Sequence, residues 1–524
     1  MSWLRAVAVS ATVVSLSLGA GPASASPSFR TLDIPTRDGV VLTGNVFTPD
    51  TPGTHPVIIF ITSWSLPSIE YLVQAQQFAE AGYVALSYTP RGFYTSGGSI
   101  DTAGPKDITD VTDVITWTLA HTPSDPARIG LAGVSYGAGI SLLGSAFDSR
   151  VRVVAAVSAW TDLQYSLLAN ETRHQQAAGL LALSGELTGN PSAELEQTLA
   201  DYFANRNLDG IKAFAKVRSA ATYVDRINAS RPAILIANAY GDSLFAPNQL
   251  ADFFGKLTGP KRLELRPGDH AIPELTGILG LPNDAWTSVH RWFDQYLRGV
   301  NTGISSENPV QLQIRGQSTY ESFPSWSALS TSTARYNLGE VHWWSSEGDL
   351  VTGSQAGWTS TIAAGTDTVA NGGIVLLSNG AEALTGEPPS AFIPWVDRGN
   401  AGVWQSDWLT SDRRVRGAAH LHLTVTPGSS GQTTIVAYVY DTDWTGIGSL
   451  VTHVAYTIRN AVAGQAYTVD TDFTATAYDV PSGHRLSLVI DTVDPLYGDK
   501  APLFSSVKFS SPTNNPSYVS LPLK

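Results

Sequence analysis

From about residue 32 to residue 300 the chain alternates short, β-branched apolar runs with amphipathic stretches of helix length, the signature of an α/β layer architecture. Strands are expected over 40–47, 57–62, 84–88, 129–134, 151–158, 233–239 and 261–265. Several of these runs are apolar without alternation, as parallel strands buried on both faces should be. Helices are expected between them, for example over 71–81 and 107–120. Residues 163–223 break the rhythm: Ala, Leu, Gln and Glu dominate and no strand candidate occurs, so the segment reads as a helical insertion over the sheet. The polar stretch 301–309, with Gly and Pro, reads as a linker. After Val310 the texture changes to Thr, Ser, Val and Gly, helix-length patterns vanish, and alternation sets in over 421–425, 434–440, 451–458 and 485–490. Turn clusters such as Pro427-Gly428-Ser429-Ser430-Gly431 and Pro481-Ser482-Gly483 separate these strands. The expectation is an all-β sandwich of jelly-roll type.

The first residues carry another pattern. A short basic start from Met1 to Arg5 precedes an apolar run over 6–18 and then Pro22-Ala23-Ser24-Ala25, an A-x-A cleavage signal. The run is shorter than the roughly 20 residues that span a bilayer. Residues 1–25 are therefore expected to be a signal peptide, leaving Ser26 as the first residue of a secreted chain without a membrane anchor. Two domains would follow, over 26–300 and 310–524. Composition narrows the partners. Thirty-two Lys and Arg against 45 Asp and Glu give a net charge of −13, which disfavours a nucleic-acid partner. Cysteine is absent, which removes disulfides, thiolate nucleophiles, Cys-ligated zinc and iron–sulfur clusters together.

Gly133-Val134-Ser135-Tyr136-Gly137 is a G-x-S-x-G nucleophile elbow, and its context supports that reading. It follows an apolar strand and precedes the small-residue helix start Ala138-Gly139-Ile140-Ser141-Leu142. A serine hydroxyl is a poor nucleophile and needs an adjacent base held by an acid. On an α/β sheet of this kind the chain order is Ser, then Asp or Glu, then His. Asp242 ends the turn after strand 233–239, and His270 follows strand 261–265 through Arg266-Pro267-Gly268-Asp269. Glu274 and Asp284 are the alternatives to Asp242. Of the other histidines, His55 and His121 precede the elbow, His174 lies in the insertion, and His290 sits in a helical stretch where packing is the expected role. One oxyanion donor is expected from the backbone N–H of Tyr136, and the second from the loop Ser63-Trp64-Ser65, where Trp64 could equally be a core aromatic.

Further segments join the elbow. Tyr88-Thr89-Pro90-Arg91-Gly92, Ser96-Gly97-Gly98, residues 110–117 and Asp125-Pro126-Ala127-Arg128-Ile129-Gly130 lead into it. Ala239-Tyr240-Gly241-Asp242 and Gly268-Asp269-His270 come later, then Trp404-Gln405-Ser406-Asp407-Trp408-Leu409 and Pro481-Ser482-Gly483-His484-Arg485-Leu486. This succession, over nearly the whole mature chain, resembles the X-prolyl dipeptidyl-peptidases (peptidase S15) and the cocaine-esterase-like CocE/NonD hydrolases. The resemblance implies an α/β-hydrolase fold with a helical cap over about 163–223 and a C-terminal β jelly roll. It also implies Ser135 as nucleophile, His270 as base, Asp242 as its orienting acid and the Tyr136 N–H in the oxyanion hole. One position departs from the pattern. The family commonly supplies a second oxyanion donor from a Tyr in a Pro-Tyr pair, where this chain has Ser63-Trp64. An indole N–H or a backbone amide would have to donate instead. An X-prolyl peptidase also needs a carboxylate for the substrate's free amine; Glu171, Glu186, Glu194 and Glu196 lie in the insertion, and none is assigned that role.

The remaining notable residues have plainer readings. Trp343, Trp344, Trp358, Trp395, Trp404, Trp408 and Trp444 are expected to fill the sandwich core or its face against the first domain, with a sugar-stacking platform as the alternative. Asp441, Asp443, Asp470, Asp472 and Asp491 lack an EF-type spacing and read as turn residues rather than Ca²⁺ ligands. Arg91-Gly92 is expected to shape a loop beside the site. The sequence thus predicts a secreted serine hydrolase that cleaves small-molecule esters or short X-Pro peptides through an acyl-enzyme, with neither cofactor nor metal. An acyltransferase on the same residues and a non-catalytic surface- or carbohydrate-binding protein are the rival functions.

Overall fold

The computed structural model describes residues 26–524, so the expected signal peptide, 1–25, lies outside the described residues. The first half is built on ten strands: β1 (Ser28–Pro35), β2 (Val41–Thr48), β3 (His55–Ile61), β4 (Val84–Tyr88), β5 (Ser124–Val134), β6 (Val151–Val157), β7 (Ala233–Ala239), β8 (Lys261–Arg266), β9 (Val310–Gln313) and β10 (Tyr320–Phe323). They lie in the order β1-β2-β4-β3-β5-β6-β7-β8-β9-β10. The pairings from β4 to β9 are all parallel, and those at either edge are antiparallel. Both faces are covered. Ile59 and Ile61 pack into one core layer with Leu131 and Ile236, while Ile58 and Phe60 pack into the other with Ala132 and Leu235. This is why residues 57–61 of β3 read as an uninterrupted apolar run.

α3 (Tyr136–Phe147) runs from the elbow and packs with α2 (Pro105–His121), while α1 (Leu72–Glu80) packs against β4. The insertion after β6 is helical, with α4 (Leu163–Leu168), α5 (Gln175–Thr188), α6 (Ala193–Phe203) and α7 (Leu208–Lys216). Isolated bridges Phe93–Gly189 and Ile100–Pro191 tie it to the loop after β4. Among the described residues no helix is long and apolar enough to cross a membrane.

The structure departs from the sequence expectation at the junction. A domain boundary at residue 310 is expected, yet Val310–Gln313 pairs in parallel with β8 and Tyr320–Phe323 extends the same sheet. The run is short and half-buried, so nothing local distinguishes it from a sandwich strand. The 14-stranded all-β assembly takes up the chain from Ser332–Leu338 onward and is mostly antiparallel, with the hairpin Gly431–Thr442 and Ile447–Ala461 as its longest pairing. It also contains a helix the pattern did not announce, Ser378–Thr385.

The tryptophans also differ from expectation. Trp358 and Trp404 do fill the sandwich core. Trp343, Trp344, Trp395 and Trp444 stand 66–89% exposed and Trp408 is half-exposed, so these five neither fill that core nor seal it against the hydrolase sheet. Four occupy turns and loops and Trp395 ends the short 3₁₀ helix Ile393–Trp395, where no facing layer exists to cover an indole. The aspartates have local partners: Asp441 binds His484 and Tyr478, Asp443 closes its own turn, Asp470 and Asp472 face His420 and His422 across a strand pair, and Asp491 takes a bond from Thr368. Among the described residues no group of three or more His, Cys, Asp or Glu side chains is placed to hold a metal ion.

Two buried ion pairs fasten the halves together. Arg315, just past β9, makes bonds of 2.7 and 2.9 Å to Glu382 on the helix Ser378–Thr385. Arg173, at the entrance to α5, meets Asp499 of the sandwich at 3.0 Å.

Candidate functional site

β5 ends at Val134, and Ser135 turns the chain into α3 with φ 56° and ψ −116°, a strained conformation that L-residues rarely hold. The turn is tight because strand and helix cross at two glycines. A Cβ on Gly137 would lie 1.8 Å from the Ile61 carbonyl oxygen, and one on Gly133 would meet the Gly137 backbone at 2.5 Å. From beneath, the Tyr71 hydroxyl accepts the Val134 N–H at 2.8 Å. The hydroxyl of Ser135 therefore stands at the positive end of α3, where negative charge is favoured.

β7 and β8 run parallel to β5 and end at the same edge of the sheet, so the loops after them return to the elbow. Ser135 Oγ lies 2.7 Å from His270 Nε2, and His270 Nδ1 lies 2.9 Å from Asp242 Oδ2. Asp242 is fixed in turn by the N–H groups of Leu244 and Phe245, which donate to its Oδ1 at 3.0 and 2.7 Å. The Phe245 ring packs edge-on against the imidazole at 5.0 Å. Burial alone would lower the His270 pKa, but the carboxylates of Asp242, Asp269 and Glu274 outweigh it and hold the group above its ordinary value.

Two carboxyl groups that the sequence left without this role brace the histidine loop. Asp269 Oδ1 accepts the His270 N–H at 2.7 Å and the Ser243 N–H and Oγ–H at 2.8 Å, so one oxygen joins the acid loop to the base loop. Glu274, an alternative acid in the sequence, accepts a bond from Ser158 Oγ at 3.1 Å, and the same hydroxyl accepts the Ala271 N–H. Burial raises Glu274 to about 7 and Asp269 to about 6. Asp284, the other alternative, takes an exposed bond from the Tyr320 hydroxyl. His290 stacks on Phe78 at 3.9 Å, a packing role as expected from its helix.

The oxyanion loop differs from expectation. The Trp64 indole N–H donates to the Leu181 carbonyl in α5 at 2.9 Å, and the ring packs where a Cβ on Gly185 would have to sit. Trp64 is a contact to the cap, and its indole is not a free donor. Ser63 is engaged as well: its N–H and Oγ–H both bond Glu70, at 2.7 and 2.6 Å. Desolvation raises the Glu70 carboxyl to about 7. Among the described residues the backbone N–H groups of Trp64 and of Tyr136, the residue after Ser135, donate to no other group of the chain. Sequence reading missed Glu70, whose partner lies seven residues away on a loop with no recognisable motif.

Arg91 is buried against Asp110 at 2.6 Å and reaches Asp38 at 3.0 Å, so it holds its loop. In the cap, Glu171 pairs with Lys212 and Glu194 with Arg218.

A serine on a strand–helix elbow, with imidazole and carboxylate at the ends of later parallel strands, is the arrangement of a serine hydrolase of the α/β-hydrolase class. The comparisons place the chain within that class. Residues 38–272 match the X-Pro dipeptidyl-peptidase (S15 family) model, and residues 302–506 match the X-Pro dipeptidyl-peptidase C-terminal non-catalytic domain. The cocaine esterase of Rhodococcus sp. (strain MB1 Bresler) is 23% identical over 544 aligned residues, covering 88% of this chain and 89% of that one. Two solved structures share the fold. An alpha-amino acid ester hydrolase matches with TM-score 0.70 at 17% identity, covering 97% of this chain and 98% of its own. A CocE/NonD family hydrolase from Staphylococcus aureus matches with TM-score 0.73 at 12% identity, covering 95% and 93%. The chain belongs to the S15/CocE family of serine hydrolases.

Proposed function

We propose that the protein hydrolyses carboxylic ester or amide bonds through an acyl-enzyme on Ser135. The observation that carries this reading is the unbroken chain of contacts from Ser135 Oγ through His270 to Asp242, at 2.7 and 2.9 Å. His270 Nε2 takes the hydroxyl proton as Oγ attacks the carbonyl carbon, and Asp242 stabilises the imidazolium that forms. The oxyanion is received by the Tyr136 and Trp64 backbone amides. His270 then returns the proton to the leaving alcohol or amine. In the second half-reaction it takes a proton from the water that attacks the acyl carbon and passes it to Ser135 Oγ as the acid departs, which restores both side chains.

The reading includes export. Residues 1–25 have the composition of a cleaved signal, so the mature chain would begin at Ser26 and act outside the cytoplasm. N-terminal sequencing of the protein recovered from culture medium checks this; a chain still starting at Met1 would contradict it. For the chemistry, a fluorophosphonate probe should label the wild type at Ser135 and leave Ser135→Ala unlabelled. Absence of labelling in the folded wild type would sink the proposal.

A further inference from the structure

Next to Ser135 the cap and the loops at the sheet's edge together wall a cavity of about 100 Å³, lined by Trp160, Leu163, Leu199, Phe214 and Phe245 among others. No Asp, Glu, Lys or Arg lines it among the described residues. The polar groups on its wall are also largely committed. Tyr136 donates its hydroxyl to Asp107 at 2.7 Å, and Tyr202 donates to the Leu167 carbonyl at 2.9 Å. His174 is the one imidazole on the wall besides the neighbouring base, and burial pushes it down to about 4, so it is uncharged at neutral pH. Three cap carboxylates are held by partners away from the cavity, Glu171 by Lys212 at 2.5 Å, Glu194 by Arg218 at 3.0 Å and Asp201 by Arg206 at 2.7 Å, while Glu186 and Glu196 are exposed to solvent.

An X-prolyl dipeptidyl substrate carries a free ammonium two residues from the scissile carbonyl, a reach of about 7 Å at most. In this enclosure that ammonium would lose its water and meet no counter-charge, which is strongly unfavourable. We infer that the protein takes substrates whose acyl group is neutral and apolar, and that it rejects acyl groups bearing an amine. Resting on the acyl-enzyme reading above, this inference names the substrate class of that site. It separates the chain from the peptidase activity in the name of its matching family model.

The test compares two esters of equal length with one leaving group. Wild-type kcat/KM for p-nitrophenyl hexanoate should exceed that for p-nitrophenyl 6-aminohexanoate by at least about 100-fold, because only the second must bury a charge. Ala-Pro-p-nitroanilide should be turned over no faster than the blank. Ala178, buried on α5 at the cavity wall, supplies two variants. Ala178→Asp should narrow the gap between the two esters at least about tenfold by offering the ammonium a partner. Ala178→Phe should lower the ratio of hexanoate to acetate turnover by at least about tenfold, because it fills the space. Equal rates on the two wild-type esters, or anilide cleavage as fast as hexanoate cleavage, would overturn the inference. Fluorophosphonate labelling separates the two levels: labelled protein that does not discriminate defeats this inference alone, whereas unlabelled protein defeats the acyl-enzyme reading beneath it.

Discussion

In the parallel sheet, β3 and β7 are buried at every position, whereas the sandwich strand Tyr467–Asp472 buries only alternate residues. The difference is geometric before it is chemical. Parallel strands with helices on both faces all end at one edge, so loops far apart in sequence converge there. Ser135 and His270, 135 residues apart, meet in this way. Antiparallel strands deliver their loops to both ends, and no sandwich residue reaches the cavity beside Ser135. The sandwich acts one layer further out. Its Asn379 donates to the Gly241 carbonyl at 3.0 Å, next to the acid, and the Leu376 N–H donates to Ser243 Oγ at 3.3 Å. The half matched as non-catalytic thus braces the loop that carries Asp242.

The comparison is sharpened first within the hydrolase half. Asp242→Asn should keep the fold but hold His270 in the wrong tautomer, lowering kcat by about 10⁴-fold in steady-state assays. A loss of less than tenfold would mean the acid is not part of the machinery. Next comes the joint between the halves. Arg315→Leu strands the buried Glu382, and urea unfolding should show a loss of about 3–5 kcal/mol. An unchanged midpoint would mean the two halves do not depend on this pair. A smaller effect is expected where the sandwich touches the acid loop. Asn379→Ala should reduce kcat by about tenfold while KM stays within about twofold, since the change misplaces a catalytic group and leaves the cavity intact. Equal changes in both constants would point to general loosening.

The pH profile probes the same loop. His270 must be neutral to accept the Ser135 proton, and its pKa is raised, so kcat/KM should fall about tenfold per unit of pH on the acid side of a midpoint above the ordinary histidine value. A midpoint below that value would contradict the carboxylate surroundings. The smallest effect belongs to an exposed turn of the sandwich. Trp444→Ala, at an 82% exposed turn position, should change stability by no more than about 0.5 kcal/mol and leave ester turnover unaffected.

How much of this was legible in the chain depends on how local each cause is. The strand–turn–helix at Ser135 and the loop positions of Asp242 and His270 can be read directly, because each is marked by an apolar run ending in its own turn residues. The helical insertion is equally plain, since its composition changes within the segment itself. The Trp64 indole is different: its partner carbonyl, Leu181, lies 117 residues away in α5, and no pattern near Trp64 specifies it. The assignment of β9 to the hydrolase sheet, the exposure of five tryptophans and the grip of Asn379 on Gly241 are likewise decided by what comes to lie opposite. The sequence by itself determined the elements and the chemistry each could offer, because periodicity and turn chemistry act over a few residues. Tertiary packing alone decided which donors stay free, which carboxylates are kept out of the cavity and which half steadies the acid, because each of these depends on partners that only the folded chain brings within a few ångströms.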